Sequence, residues 1–211
     1  MKRKKKFFFF LIKRVFDILV SFELILLAFV PSLLISLIIV LDSRGPVFFK
    51  QERIGKNKKV FKMLKFRSMK VNSESKGVYE QKNDSRITKF GKFLRKTSLD
   101  ELPQILNIFI GQMSFIGPRP PLTYHPWTID KYDSEQIRMF NVRPGITGWA
   151  QVNGRKNVEW NARIKLNVWY VDNCDLFLDL KIFFKTIGAV FSNKDNYNND
   201  TTVKNNGDSN A

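Results

Sequence analysis

Two adjacent carboxylates, Asp100 and Glu101, are the residues of this sequence whose types and spacing best suit chemistry. Apolar residues recur around them at helical spacing, and Pro103 has no backbone NH to donate, so we predict a helix that begins within a few residues before the proline. One interpretation is that the two acids only complement a helix N-terminus, a preference worth about 0.3–1 kcal/mol.

Basic residues on both sides of the acidic pair favour a second interpretation. Lys92, Arg95 and Lys96 precede the pair, and Arg119 follows it between two prolines that restrict the backbone. A divalent cation needs oxygen ligands, and a phosphate needs NH groups and guanidinium forks. Carboxylates among arginines therefore indicate a site for a divalent cation that holds a phosphate.

Three stretches surround and include these residues. Residues 89–104 end in Thr-Ser-Leu-Asp-Glu-Leu-Pro-Gln, residues 113–120 end in Gly-Pro-Arg-Pro, and residues 142–155 begin with Val-Arg-Pro-Gly. With them the chain resembles the bacterial sugar transferase family, the monotopic phosphoglycosyl transferases that start the assembly of membrane-borne glycans. The resemblance runs in order over about residues 13–191.

The resemblance implies a reaction. Such enzymes transfer a sugar phosphate from a UDP-sugar to polyprenyl (undecaprenyl) phosphate and release UMP, as the first membrane step of capsule, exopolysaccharide or glycoprotein glycan synthesis. Asp100 matches the family's nucleophile, which forms a covalent aspartyl-phosphosugar intermediate. Glu101 matches the ligand of the Mg²⁺ cofactor, with Asp100 beside it at the metal site.

Basic positions within the family's motifs become candidate phosphate ligands: Arg95, Arg119, Arg155, Lys65 and Arg67. Arg143 is assigned a supporting role. Asp179 matches an acidic position of the family, and either orients an arginine or a ligand or is simply a carboxylate on a helix surface. The single cysteine, Cys174, and the single histidine, His125, are interpreted as ordinary residues.

An apolar run over residues 15–41 follows a basic N-terminus. As a helix it would reach about 40 Å, more than the roughly 30 Å of a hydrocarbon core, so a simple spanning helix is one possibility. Against it, Asp17 and Glu23 carry charge within the run, Pro31 interrupts the backbone hydrogen bonds, and basic residues flank both ends. We therefore predict a re-entrant helix-break-helix bent at Pro31, as the resemblance also implies.

The remaining segments have simpler patterns. Residues 47–54 and 59–67 predict a β-hairpin around a turn at residues 55–58, and residues 70–86 predict an exposed loop. Helices are predicted over residues 129–140, 158–170 and 177–191. The last of these helices is amphipathic, and either packs on the core or lies in the membrane interface. The polar tail is predicted to be disordered.

The predicted fold is α+β and mainly helical, with a re-entrant membrane helix, a β-hairpin and amphipathic interfacial helices around one small catalytic domain. Its parts are residues 1–41, the basic N-terminus and membrane helix; residues 42–192, the cytoplasmic transferase domain; and residues 193–211, the tail. The predicted location is the bacterial inner membrane, with monotopic insertion and the catalytic domain on the cytoplasmic face.

A formal net charge of +17 over 211 residues predicts an anionic partner, although charge does not identify it. The expected partners are a UDP-sugar, polyprenyl phosphate and the cytoplasmic leaflet; a homo-oligomer is left open. Nucleic acid is not expected, because the sequence has no helix-turn-helix, zinc-ligand or RNP-type pattern. The alternatives are a membrane-tethered basic nucleic-acid-binding protein and a membrane scaffold without catalysis.

Overall fold

The computed structural model describes residues 2–73, 84–154 and 159–191. Its helices and strands in chain order are α1 Lys2–Asp42, β1 Phe48–Ile54, β2 Val60–Phe66, α2 Lys89–Thr97, α3 Gln104–Phe109, β3 Ser114–Ile116, β4 Gly145–Thr147, α4 Trp149–Gly154, α5 Trp160–Asn173 and α6 Leu176–Phe191. The predicted mainly helical architecture is confirmed. Arg155, residues 74–83 of the predicted loop and the predicted tail lie outside the described residues.

Strands β1 and β2 form the predicted antiparallel hairpin, with Phe48 opposite Phe66 at its open end. Side chains alternate along β2, so Phe61 and Met63 point inward and are buried. They pack against Ile108 of α3 in one apolar cluster. The hairpin therefore lies directly against the short helix that follows the acidic pair.

The buried side chain of Asn107 joins α3 to the free edge of β2. Its Oδ1 accepts a hydrogen bond from the Leu64 NH at 2.9 Å, and its Nδ2 donates to the Lys62 carbonyl at 2.9 Å and to Gln112 Oε1 at 2.7 Å. One side chain thus satisfies backbone groups that a third strand would otherwise pair. This contact fixes the register of α3 against the hairpin.

A second, parallel strand pair was not predicted. Ser114 of β3 lies opposite Gly145 of β4, and Ile116 lies opposite Thr147. Each strand has three residues, which is too short for an alternating pattern to be visible in the sequence. The pair brings the Gly-Pro-Arg-Pro segment against the stretch over residues 142–155 that begins with Val-Arg-Pro-Gly.

The helix predicted over residues 129–140 is replaced by two 3-10 turns, Ile129–Lys131 and Gln136–Asn141. Between them Asp133 Oδ1 accepts hydrogen bonds from the NH groups of Glu135 and Gln136, both at 2.8 Å. Such local side-chain bonds compete with an α-helix for the same backbone donors. The prediction of a continuous helix in this segment was therefore wrong.

Helices α5 and α6 lie close to their predicted positions. In α6 the side chain of Ile182 is fully buried, whereas Phe177 is 82% exposed and Phe183 and Phe184 are also exposed. The helix therefore packs on the core along one face and leaves phenylalanines uncovered on another. Its placement in a membrane interface stays a prediction.

Helix α1 is long and apolar enough to cross a membrane, judged by its length and composition. The helix continues through Pro31, so the predicted break at this residue is not confirmed. Large apolar side chains along its middle are exposed, such as Leu27 at 73% and Val30 at 62%. The rest of the described protein leaves these side chains uncovered.

Both ends of α1 contact the body of the protein. Near its start, the Lys6 ammonium donates to the Asp172 carbonyl at 3.0 Å. Near its end, Ile35 and Ile39 are buried in a cluster with Phe66 of the hairpin. The same folded unit therefore contacts α1 on both sides of its exposed apolar middle.

Charged residues within α1 also form hydrogen bonds with α3 and β3. Asp17 is buried and accepts hydrogen bonds from Ser114 Oγ at 3.1 Å and from the Phe115 NH at 3.2 Å. Arg14 donates to the carbonyls of Ile108 and Phe109 at 2.7 and 2.9 Å. These charges attach α1 to α3 and β3, which explains their place beside an apolar run.

Replacement of Asn107 by alanine tests whether this side chain holds α3 against the hairpin. Asn107→Ala leaves a buried NH and a buried carbonyl of β2 without partners, at a cost of about 1–3 kcal/mol each. We expect the thermal midpoint in detergent, followed by circular dichroism, to fall by roughly 5–10 °C. The control is Asn173→Ala, because Asn173 is exposed and its side chain donates to the Trp169 carbonyl within the same helix, α5. Equal midpoints for the two variants would contradict the proposed role of Asn107.

Candidate active site

The acidic pair lies in a tight turn between two helices. α2 ends at Thr97, and Ser98 adopts a left-handed conformation with φ 59° and ψ 15°. A 3-10 turn, Leu99–Glu101, follows and carries both acids, whereas α3 begins only at Gln104. The pair therefore precedes α3, and the residue that caps this helix, Pro103, makes no side-chain cap bond. Simple capping of α3 does not explain the two carboxylates.

Cations from two other parts of the chain face the pair. The Lys65 ammonium of β2 lies 2.7 Å from Glu101 Oε1 and 3.8 Å from Asp100 Oδ2. A guanidinium nitrogen of Arg119 lies 3.8 Å from the same Glu101 oxygen. The structure thus brings four of the predicted site residues together, with side chains that are between 11% and 37% exposed.

These cations determine the charge state of Glu101. Burial alone would raise the pKa of this carboxyl, but the charges of Lys65 and Arg119, the hydrogen bond from Lys65 and the charge of Arg53 lower its pKa to about 2. Glu101 is therefore ionised throughout the physiological pH range. An ionised carboxylate among cations suits a metal ion, a phosphate or both.

Arg53 is a site residue that sequence reasoning missed. It is at the end of β1 and donates to the Pro120 carbonyl at 2.9 Å, beside Arg119. Phe49 of β1 pairs with Lys65, and Arg53 lies four residues further along the same strand face. The two-residue period of the hairpin was the signal that could have placed Arg53 and Lys65 on one side.

The segment that carries Arg119 is fixed by backbone contacts on both sides. The Ile54 NH donates to the Pro121 carbonyl at 3.0 Å, and the Gly117 NH donates to the Thr147 carbonyl at 2.9 Å. A Cβ on Gly148 would lie 2.0 Å from the Gly117 carbonyl oxygen, so only glycine fits at this close approach. Arg119 is therefore presented from a rigid loop.

Two other predicted phosphate ligands donate hydrogen bonds to other parts of the chain. Arg67 is buried and donates to the Ile39 carbonyl at 3.2 Å and to Ser43 Oγ at 3.0 Å, at the end of α1. Arg95 donates to Ser68 Oγ at 3.1 Å. The structure therefore gives Arg67 the geometry of a cap on α1, and it places Arg95 against the segment that follows β2.

The predicted supporting residues have structural contacts. Asp179 is buried, accepts a hydrogen bond from the Tyr170 hydroxyl at 2.7 Å and forms an ion pair with Lys13. Burial and the Asp179 charge raise the pKa of Tyr170, so this phenol stays protonated. Arg143 donates from Nε to the Gly111 carbonyl at 2.9 Å. Asp179 thus joins α6 to α1 and is not a carboxylate on a helix surface, whereas its role in orienting an arginine or a ligand stays a prediction.

His125 and Cys174 have the surroundings of core residues. His125 is buried against Trp160, with 5.2 Å between the ring centroids, and burial together with Arg53 and Arg163 lowers its pKa. Cys174 is buried and donates to the Val171 carbonyl, and burial raises the pKa of its thiol. Neither arrangement favours a thiol nucleophile.

The donor set limits the kind of metal site. Within the described residues, no group of three or more His, Cys, Asp or Glu side chains could hold an ion. Asp100 and Glu101 supply carboxylates from adjacent positions. Mg²⁺ commonly binds one or two carboxylates and completes its shell with waters and substrate phosphates. The two acids therefore suit a cation shared with a phosphorylated substrate.

Comparison with known proteins identifies related sequences. A family model described as "Bacterial sugar transferase" matches residues 8–193. EpsL of Bacillus subtilis (strain 168), named an uncharacterized sugar transferase, is 43% identical over 180 residues, which cover 85% of this chain and 87% of EpsL.

Two further relatives have names that describe reactions. A "UDP-glucose:undecaprenyl-phosphate glucose-1-phosphate transferase" of Escherichia coli (strain K12) is 42% identical over 194 residues, which cover 89% of this chain and 42% of the relative. A "UDP-galactose-lipid carrier transferase" of Erwinia amylovora is 40% identical over 197 residues, which cover 85% of this chain and 40% of the relative. The chain thus spans about two fifths of these two longer proteins.

The pKa of Glu101 predicts a specific effect of pH on stability. Because this pKa is lower in the folded than in the unfolded chain, the ionised carboxylate stabilises the fold above about pH 4.5, and this stabilisation is lost as the pH falls towards 2. We expect Glu101→Gln to remove a stability change of order 1–3 kcal/mol between pH 5 and pH 3. Urea unfolding in detergent at pH 5 and at pH 3 measures this change in the free energy of unfolding.

The control for this measurement is Glu52→Gln, since Glu52 is exposed on the hairpin. This variant should keep the pH dependence of the unmodified protein. If Glu101→Gln keeps that dependence too, the ion pair with Lys65 does not stabilise the folded state.

Proposed function

The chain belongs to the bacterial sugar transferase family, and we propose that it transfers a sugar phosphate from a UDP-sugar to polyprenyl phosphate, with release of UMP. The names of the Escherichia coli and Erwinia amylovora relatives support a UDP-sugar donor and a lipid acceptor. We further propose that the reaction is the first membrane step of capsule, exopolysaccharide or glycoprotein glycan synthesis.

The observation that carries this proposal is the convergence of Lys65, Arg53 and Arg119 on the acidic pair. A nucleotide diphosphate sugar brings negative charge to the site, and cations held in fixed positions lower the cost of bringing it next to two carboxylates. Arg119 is suited to this role because a guanidinium binds phosphate oxygens with two parallel hydrogen bonds. Arg53 donates to the Pro120 carbonyl and to Gln51, and adds its positive charge to the site.

In the proposed reaction Asp100 is the nucleophile. Its carboxylate oxygen forms a bond to the sugar-side phosphorus, while the bond from that phosphorus to the bridging oxygen breaks and UMP leaves with the electron pair. An oxygen of polyprenyl phosphate then attacks the same phosphorus and releases the aspartate. Lys65 is within hydrogen-bonding distance of Glu101 but 3.8 Å from Asp100, which supports separate roles for the two acids.

Glu101 is the proposed ligand of Mg²⁺, with Asp100 beside it. The bound ion would offset the negative charge of the donor diphosphate. Glu101 is ionised and therefore ready to bind a cation without first losing a proton. Lys65, which now pairs with Glu101, would then turn to a phosphate oxygen, a movement that its flexible side chain allows.

We also propose that α1 enters one leaflet and returns to the cytoplasmic face, with a bend at Pro31. A helix that spans the bilayer places its ends about 30 Å apart on opposite surfaces. The folded unit contacts Lys6 near one end and Ile39 near the other, which favours both ends on the same side. Pro31 lacks one backbone hydrogen bond and is the natural place for a bend.

Intact mass spectrometry tests the proposed chemistry. Purified full-length protein is incubated with Mg²⁺ and each of a panel of UDP-sugars, without acceptor lipid. We expect the mass of one sugar phosphate to be added with at least one donor, and Asp100→Asn to lower this labelling rate by about a thousandfold or more. Asp172→Asn, at an exposed position, should label normally. Labelling of Asp100→Asn at the normal rate would exclude Asp100 as the nucleophile.

Cysteine accessibility tests the proposed topology. Cys174→Ala removes the only native thiol, and Lys4→Cys or Arg44→Cys then places one thiol at either flank of the apolar run. We expect a membrane-impermeant maleimide to label both variants in inverted membrane vesicles and neither in spheroplasts. A spanning helix would instead expose one of the two thiols on the outer side.

A further inference from the structure

A small cavity lies where α1 meets the rest of the protein, away from the acidic pair. Its volume is about 30 Å³, and its lining includes Arg14, Lys56, Arg143 and Asp17. The Lys56 side chain comes from the exposed turn of the hairpin, so the cavity opens to solvent on that side. A ligand can therefore reach the cavity at Lys56 without passing through the core.

The two arginines of this cavity are held by the end of α3. Arg14 bonds the carbonyls of Ile108 and Phe109, and Arg143 bonds the Gly111 carbonyl through Nε. That bond uses one of the five NH groups of the Arg143 guanidinium. The arginines are thus fixed by neutral carbonyls, which do not compensate their positive charge, although the Asp17 carboxylate lies near Arg14.

Positive charge is in excess around the cavity. Lys13 pairs with Asp179, and Asp17 accepts hydrogen bonds from Ser114 and Phe115. Within the described ranges, neither Lys56 nor Arg143 lies within 4 Å of a carboxylate oxygen. Burial and the Arg143 charge lower the pKa of Lys56, as expected when cations lie together without enough anions.

The cavity also lies at a defined position along α1. Arg14 directly precedes Val15, where the apolar run begins. If α1 inserts as proposed above, this point is at the membrane surface, where lipid phosphates and basic side chains meet. The lining of the cavity includes neither acid of the pair and none of the cations that face the pair, so the two sites are distinct.

We propose that this cavity is a phosphate-binding site formed by Arg14, Lys56 and Arg143, separate from the acidic pair. Its ligand is a phosphate ester, either on a lipid headgroup or on a small soluble molecule. The position at the membrane surface rests on the proposed insertion of α1, whereas the binding of phosphate rests only on the cations.

Calorimetric titration of the full-length protein in dodecyl maltoside tests the site, with dioctanoyl phosphatidic acid in one arm and inorganic phosphate in the other. We expect Lys56→Gln and Arg143→Gln each to weaken phosphatidic acid binding at least tenfold. Lys59→Gln, in the same exposed turn but outside the cavity lining, should change it less than twofold. Binding is measured without a sugar donor and without turnover, which separates this result from a failure of the proposed chemistry.

The two arms distinguish the sources of phosphate. Saturable binding of phosphatidic acid alone supports a lipid headgroup site, and equal binding of inorganic phosphate supports a soluble phosphate ester. The proposal is overturned if neither ligand binds, or if Lys59→Gln loses as much affinity as Lys56→Gln. Lys56 lies in an exposed turn, so the result remains clear even if Arg143→Gln fails to fold.

Discussion

Two carboxylates in adjacent positions repel each other, and the rest of this structure supplies the positive charge that lets them lie together partly buried. Lys65 bonds Glu101 at 2.7 Å and lies 3.8 Å from Asp100, while Arg119 approaches from another loop. Uncompensated charges at such a position would favour protonation of one acid. The site therefore requires that the hairpin, the turn before α3 and the Gly-Pro-Arg-Pro segment be held against one another.

Hydrogen bonds to backbone groups meet this requirement together with the apolar contacts. Asn107 covers the edge of β2 next to Lys65, and Arg53 bonds the Pro120 carbonyl beside Arg119. The parallel pair β3 and β4 then fixes the other side of that loop. Because these bonds have defined directions, they hold the cations in place more closely than side-chain packing alone would.

The sequence predicted those parts of this arrangement that depend on local pattern or on a family motif. The hairpin was predicted from its turn and flanking residues, and Lys65 and Arg119 from the resemblance. Arg67 belongs to the same motif as Lys65, but it lies past the end of β2 and reaches α1 instead. The different contacts of Lys65 and Arg67 depend on where β2 ends, and the family motif does not indicate this end.

Long-range contacts explain what could not be predicted. Asp179 pairs with Lys13, which is 166 positions away in the sequence, and no local pattern relates the two. Arg53 was missed although the hairpin was predicted correctly, because only the packing of the hairpin against α3 shows which face looks towards the acids. The strands β3 and β4 exist only as a pair, so neither segment alone indicates a strand.

The high net charge also has a different meaning once the contacts are known. Lys6 bonds a backbone carbonyl of the folded unit, and Arg67 bonds a backbone carbonyl at the end of α1, so part of the charge of +17 is structural rather than available to an anionic partner. For a helix that lies in lipid, apolar packing against protein gains little, since lipid chains are equally apolar. Polar bonds at its two ends can hold α1 to the folded unit while its apolar middle stays free for lipid.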